Sequence, residues 1–118
     1  MKTEIKGPVL SVVLSGELDH HHAANIRDKL DSVYERSGCR HIIFDFTEVS
    51  FMDSSGIGML MGRYKNAEKR GGKVAVANMN NQLTRLFALS GLQKIVGQYA
   101  TVNAASAAIL KGGADSGN

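Results

Sequence analysis

The chain has 118 residues, of which 43% are hydrophobic and 21% charged, and it carries a net charge of +3; this is the composition of one soluble domain with a core of its own. A single cysteine, Cys39, excludes an intramolecular disulfide and a cysteine-based zinc site, while the scattered positive charge and the absence of tryptophan argue against a nucleic-acid partner. Because residues 1–10 lack a signal-peptide core and no run approaches the roughly 18 apolar residues of a membrane span, we expect a cytoplasmic protein with no membrane partner.

Two strands are predicted at the start of the chain. Residues 9–15 alternate apolar side chains with serine and end at Gly16, a pattern typical of a strand. The turn dipeptide Gly7-Pro8 separates this strand from a short one that we expect over residues 2–6.

A helix is predicted next, with Asp19 as its N-cap and Gly38 as its C-cap. Its apolar residues recur at helical spacing, at Ile26, Leu30, Val33 and Tyr34. The following strand, residues 41–46, is the most apolar segment, and residues 47–52 are predicted to form a loop that leads to Asp53.

The second half of the chain continues the alternation of helices and strands. Asp53 is predicted to open a second helix with one apolar stripe, formed by Ile57, Leu60, Met61, Tyr64 and Ala67. Further predicted elements are a strand over residues 73–77, a helix that opens at Asn80 or Asn81 and stops at Gly91, a short strand at residues 95–96 and an alanine-rich helix over residues 101–111. This order favours an α/β domain with a mainly parallel sheet over residues 1–111, followed by a flexible tail of small polar residues, 112–118.

The segment with the most candidate functional side chains is residues 51–58, Phe-Met-Asp-Ser-Ser-Gly-Ile-Gly, at the predicted start of the second helix. With Asp53 as the cap, Ser54 and Ser55 lie in the first turn, where free backbone N–H groups and the helix dipole favour anions and phosphate groups. Gly56 and Gly58, together with Gly62 further along the helix, would let backbone come close to a neighbouring element. An ordinary capped helix that packs tightly on the sheet explains the same residues equally well.

Enzyme motifs fit this segment poorly. The nucleophile elbow requires the pattern G-x-S-x-G, but Met52 occupies the first glycine position around Ser54, and all four histidines lie at or before His41, ahead of the serine. A dinucleotide-binding fingerprint that starts at Gly56 would need a glycine in place of Met61. A small serine-dependent hydrolase or nucleotide-binding protein therefore stays as the alternative from another class, and we expect neither an enzyme nor a bound cofactor.

Acidic residues are predicted to lie beside the serines. Glu17 and Asp19 follow the first long strand, and the carboxyl ends of parallel strands meet at one edge of a sheet. The consecutive histidines 20–22 point in different directions on a helix start, so we predict no metal site there. Arg63 is predicted to be exposed and solvated, outside the apolar stripe of its helix.

Taken together, these segments resemble the anti-sigma-factor antagonist family of the STAS superfamily, and within it the sporulation branch. The resemblance rests on residues 16–21 (Gly-Glu-Leu-Asp-His-His), 40–42 (Arg-His-Ile), 50–58 (Ser followed by the segment above), 62–65 (Gly-Arg-Tyr-Lys) and 85–95. It spans nearly the whole chain except the tail, and it implies a single STAS domain with a mixed, mainly parallel sheet of four to five strands and about four helices. His22 departs from the family pattern, in which two histidines are followed by a different residue.

The resemblance implies a partner-switching role. The unphosphorylated form of such a protein binds an anti-sigma factor that is also a serine kinase, which releases the sporulation sigma factor. The kinase then uses ATP and Mg²⁺ to phosphorylate one serine, and a PP2C-type phosphatase reverses the change. In the family the acceptor is the first serine after the aspartate, which falls here on Ser54, with the neighbouring Ser55 as the alternative. The family's docking surface falls in this sequence on Glu17, Asp19, Asp53, Ser54, Ser55, Gly56 and Arg63. An antagonist of another sigma or stress pathway would carry the same motif.

Overall fold

The computed structural model describes residues 1–115, in which five strands form one sheet in the order β1-β2-β3-β4-β5. The strands are β1 (Lys2–Lys6), β2 (Val9–Leu18), β3 (His41–Met52), β4 (Val74–Ala77) and β5 (Gly97–Tyr99). β1 pairs with β2 in antiparallel direction, and the other neighbours are parallel. The mixed, mainly parallel sheet predicted from the sequence is confirmed.

Four helices cover the two faces of this sheet. They are α1 (Ala23–Ser37), α2 (Ser54–Lys69), α3 (Asn81–Ser90) and α4 (Val102–Asp115), with a short 3₁₀ turn at Leu92–Lys94. The first three helices pack on one face around the larger core, whereas α4 packs on the other face against a small cluster, Val9, Ile43, Ala75, Ala105 and Ile109. Among the described residues no helix is both long enough and apolar enough to cross a membrane.

Two predicted strand ends are wrong, both at the carboxyl ends of central strands. β2 continues to Leu18, and β3 continues through the predicted loop 47–52. The two extensions pair with each other, with Gly16 opposite Val49 and Leu18 opposite Met52. The pairing register shifts twice, once before Gly16 and once after it. Gly16 has a φ of 75°, which glycine adopts without strain. These irregularities break the alternation of side chains that would have identified the strands from sequence.

The helix ends that depend on local hydrogen bonds are mostly confirmed. Side-chain oxygens of Asp53 and Asn80 accept hydrogen bonds from backbone N–H groups inside their helices, at 2.8 Å each, and Gly91 ends α3 with a φ of 82°. α1 begins at Ala23, after the turn that contains Asp19, so the predicted cap position is wrong.

The last third of the chain also differs from expectation at two places. The predicted strand at residues 95–96 is wrong, because the N–H groups of Ile95 and Val96 both bond to the carbonyl of Leu92 and close the 3₁₀ turn. The fifth strand lies just beyond, at Gly97–Tyr99. α4 runs to Asp115, past the predicted end at residue 111, and residues 116–118 of the predicted tail lie outside the described residues.

His41, at the start of β3, should make the stability of the fold depend on pH. The residue is 5% exposed, and its Nδ1 accepts a hydrogen bond from the backbone N–H of Lys73 at 2.9 Å. Burial, together with the charges of Arg40 and Lys73, lowers the pKa of His41 below its usual value of 6.5. The imidazole of His41 therefore takes up a proton at a higher pH in the unfolded chain than in the folded chain. Because this protonation favours the unfolded chain, the free energy of unfolding should fall as the pH drops from about 7.5 to about 5.5.

Urea unfolding of the unchanged chain and of His41→Asn at several pH values measures this effect. The asparagine Oδ1 can keep the hydrogen bond from Lys73 but does not titrate. The variant should therefore lose less stability on acidification than the unchanged chain. Equal losses in the two proteins would show that His41 is not the responsible group.

Candidate functional site

The structure brings the two predicted functional segments together at the carboxyl edge of the sheet. Leu18 at the end of β2 pairs with Met52 at the end of β3, and the backbone N–H of Asp53 donates a hydrogen bond to the carbonyl of Leu18 at 3.3 Å. The loop of residues 19–22 and the first turn of α2 are therefore neighbours. The prediction that both strand ends lie at one edge is confirmed.

Asp53 holds the first turn of α2 in place and leaves one serine accessible. Its carboxylate accepts a hydrogen bond from the N–H of Ser55, and its carbonyl accepts hydrogen bonds from the N–H groups of Gly56 and Ile57, at 3.1 and 3.2 Å. Ser54 is exposed, whereas Ser55 is half-buried. The Ser54 hydroxyl is therefore the more accessible of the two at the positive end of a 16-residue helix.

Gly56 allows this helix start to pack directly on the end of β2. A Cβ at this position would lie 2.6 Å from the carbonyl oxygen of Leu18 and 2.6 Å from Cγ of Met52. The expectation of a close backbone approach is therefore confirmed at Gly56. It is wrong at Gly58 and Gly62, where an added Cβ would meet nothing within 4 Å.

Asp19 organises the loop that precedes α1. Its Oδ1 accepts hydrogen bonds from the N–H groups of His21 and His22, at 3.0 and 3.1 Å, and lies 2.7 Å from Nδ1 of His22. Partial burial acts to raise the pKa of Asp19, but the contacts with His22 and Glu17 together outweigh it and leave this pKa below its usual value. Asp19 thus stabilises a turn at the site in its charged form.

The side chain of Arg63, a residue of α2, is buried against α1. The prediction that this residue is exposed and solvated is therefore wrong. Its side chain is only 8% exposed, and its Nε lies 2.9 Å from Oδ1 of Asp31 on α1. The contact is an ion pair without the alignment of a good hydrogen bond. Of the predicted docking residues, the fold therefore buries two, Gly56 and Arg63.

Comparison with known proteins identifies the family. The STAS domain family model matches residues 1–105. The chain belongs to the STAS domain family. Over 91 residues it is 45% identical to the anti-sigma F factor antagonist of Paenibacillus polymyxa, a match that covers 77% of this chain and 78% of the relative. It is 34% identical over 87 residues to the anti-sigma-B factor antagonist of Bacillus subtilis (strain 168), covering 74% of this chain and 78% of that one.

Solved structures agree with this assignment. The anti-sigma factor antagonist SpoIIAA in its unphosphorylated form has a TM-score of 0.71 and 27% identity, covering 94% of this STAS domain chain and 97% of the other. The phosphorylated form of SpoIIAA has a TM-score of 0.68 and 32% identity, with coverages of 88% and 94%. The predicted single STAS domain is thus confirmed.

Phe51 is a feature of this STAS domain that the sequence interpretation missed. It pairs with Glu17 across β2 and β3 and is 46% exposed. The only sequence signal was an aromatic side chain two residues before Asp53, in a segment predicted to be a loop. Aromatic side chains, phenylalanine included, are enriched in protein–protein interfaces relative to the rest of the surface.

His22 joins Glu17 and Asp19 in a group whose ligand atoms lie within 4.8 Å of one another. Two carboxylates and one imidazole at that spacing could hold a divalent ion. However, Oδ1 of Asp19 already accepts the hydrogen bonds of the turn, and these contacts account for the placement of Asp19 and His22 without an ion. His20 and His21 instead pack edge to face against each other, with ring centroids 5.9 Å apart.

Proposed function

We propose that this STAS domain is a cytoplasmic anti-sigma factor antagonist that works by partner switching. In its unphosphorylated form it binds an anti-sigma factor that is also a serine kinase, and the bound sigma factor is released. The observation that carries the proposal is the exposed Ser54 at the capped start of α2, directly beside the end of β2. The 45% identity to an anti-sigma F factor antagonist supports the same conclusion.

The kinase modifies the protein at the surface where it docks. The Oγ of Ser54 attacks the γ-phosphoryl group of ATP that the kinase holds with Mg²⁺; the P–O bond to ADP breaks, ADP leaves, and the hydroxyl proton passes to a base of the kinase. Ser54 is favoured over Ser55 because it is the more exposed hydroxyl. The docking surface consists of Glu17, Asp19, Asp53, Ser54, Ser55, Gly56 and Arg63, of which Gly56 and Arg63 are buried and the other five at least partly exposed.

Phosphorylation releases the partner by local repulsion and steric block. A phosphate adds about −1.5 to −2 charges and three acceptor oxygens at pH 7, next to the carboxylate of Asp53. The added charge repels an acidic edge of the partner and fills volume that docking needs, while the sheet stays unchanged. In support, both the unphosphorylated and the phosphorylated form of SpoIIAA share the fold of this chain, with TM-scores of 0.71 and 0.68. A PP2C-type phosphatase then restores the binding form.

The sigma factor that is released belongs to a sporulation pathway in this proposal. The 45% identity to an anti-sigma F factor antagonist, against 34% to an anti-sigma-B factor antagonist, favours it over a stress pathway. Binding of the purified chain to the anti-sigma factors of both pathways from the same host distinguishes them, because only the cognate one should yield its sigma factor.

One experiment tests the switch itself. The chain is mixed with its anti-sigma factor and sigma factor, and sigma release is followed before and after ATP and Mg²⁺ are added. We expect release by the unmodified chain, then loss of binding as mass spectrometry records one phosphate per chain, and recovery after treatment with the phosphatase. Equal affinity of the two chemical forms would contradict the proposal.

A further inference from the structure

A groove with a cavity volume of about 360 Å³ lies between the first halves of α1 and α2 and is bordered by Ser55. Small side chains and glycines form most of its walls, and its polar lining consists of His20, Arg27, Ser55 and Arg63. The lining that the described residues provide contains no carboxylate. The volume lies within the range of sites that hold small groups, and the charge of the lining favours an anion.

Arg63 contributes a donor that nothing in the described part of the chain satisfies. Its Nε faces Asp31, but its Nη1 is buried and has no hydrogen-bond partner there. A guanidinium has five N–H donors in a planar fork, and a buried donor without an acceptor costs about 1–3 kcal/mol. An acceptor that enters the groove would remove this cost, and a carboxylate matches the geometry of the fork.

Arg27 places a second positive charge at the same groove. It is exposed on α1, where its nearest carboxylate is that of the adjacent Asp28, at 3.2 Å. Burial lowers the pKa of Arg63; the carboxylate of Asp31 opposes this shift, and repulsion from the nearby charge of Arg27 adds to it. An anion between the two guanidinium groups would relieve this repulsion, and the N-terminus of α2 adds a further positive field.

We propose that this groove receives the carboxylate of an aspartate or glutamate from the docking anti-sigma factor, held by Arg63 and Arg27. The inference rests on the proposed function and adds the chemistry of the partner side chain. The same partner carboxylate would belong to the acidic edge that a phosphate on Ser54 repels. The reason is that Ser55 borders the groove and Ser54 is the residue before it.

The test compares the affinity of the anti-sigma factor for the unphosphorylated chain and for three variants, at low and high salt. Arg27→Gln should weaken binding about threefold to tenfold and flatten its salt dependence, and Arg63→Gln should weaken it about thirtyfold or more. Arg36→Gln is the matched control, because Arg36 is exposed at the opposite end of α1. Circular dichroism verifies that Arg63→Gln is folded, and Arg27→Gln provides the readout if it is not.

The outcomes separate this inference from the function on which it rests. Binding by the unchanged chain that is equally tight in Arg27→Gln and in folded Arg63→Gln would overturn the carboxylate site and leave the antagonist function standing. An equal loss in Arg36→Gln would also overturn the site, since it would show non-specific attraction by net charge. Failure of the unchanged chain to bind the anti-sigma factor would overturn both.

Discussion

Ser54→Ala should bind the anti-sigma factor as tightly as the unchanged chain but accept no phosphate, so that ATP no longer releases it. Ser54→Asp should bind about tenfold to a hundredfold more weakly, which corresponds to about 1.4–2.8 kcal/mol. The reason is that the aspartate adds a negative charge beside Asp53 at an exposed helix start where the partner docks, and like charges brought together in an interface are costly. Calorimetric titration and mass spectrometry after incubation with the kinase and ATP measure the two effects.

Two control variants make the Ser54 result specific. Ser54→Asn has nearly the shape of the aspartate without its charge, so it should bind more tightly than Ser54→Asp if repulsion contributes to release. Ser55→Ala should be phosphorylated like the unchanged chain. Stoichiometric phosphorylation of Ser54→Ala would instead identify Ser55 as the acceptor, although Ser55 is half-buried and its N–H is bonded to Asp53.

Gly56→Ala should lower the free energy of unfolding by about 1–3 kcal/mol, because overpacking a tight contact costs that much. The added Cβ would lie 2.6 Å from the carbonyl oxygen of Leu18, which belongs to the backbone of a central strand and cannot move aside freely. The start of α2 must shift instead, and Ser54 shifts with it. The variant should therefore also bind the anti-sigma factor more weakly. Urea unfolding and a binding titration measure the two consequences.

Gly58→Ala is the matched stability control, two residues along the same helix. A Cβ there meets nothing within 4 Å, so the substitution should stabilise the chain by up to about 1 kcal/mol through helix propensity alone. Because Gly58 lines the groove between α1 and α2, this control is used for stability and not for binding. Equal unfolding free energies in the two alanine variants would contradict the close packing of Gly56 on β2.

Features that depend on neighbours in the chain could be predicted from the sequence. The Asp53 and Asn80 caps bond to backbone groups two and three residues away, so their chemistry can be recognised locally. The left-handed Gly91, followed by the buried Leu92, is recognisable for the same reason. Asp19 also accepts hydrogen bonds from nearby backbone N–H groups, but these groups belong to a turn before α1 and not to the helix. Composition does not show which of the two an aspartate closes when they lie only a few residues apart.

Two features that depend on distant partners could not be predicted. The extensions of β2 and β3 exist because Gly16 and Leu18 find Val49 and Met52, and the register shifts between them erase the alternating pattern. The burial of Arg63 depends on the packing of α2 against α1, which brings it to Asp31. A charged residue outside the apolar stripe of its own helix gives no sign of this contact.

By itself, the sequence determined the order of strands and helices, the capped serine turn and the family, because hydrophobic periodicity, capping and a contiguous motif are properties of short segments. Only the tertiary structure decided that Ser54 is exposed while Ser55 is half-buried, and that Arg63 and Arg27 share a groove. These properties arise where separate segments of the chain pack together. The free energy of that packing depends on all the segments at once, so the sequence of one segment does not predict it.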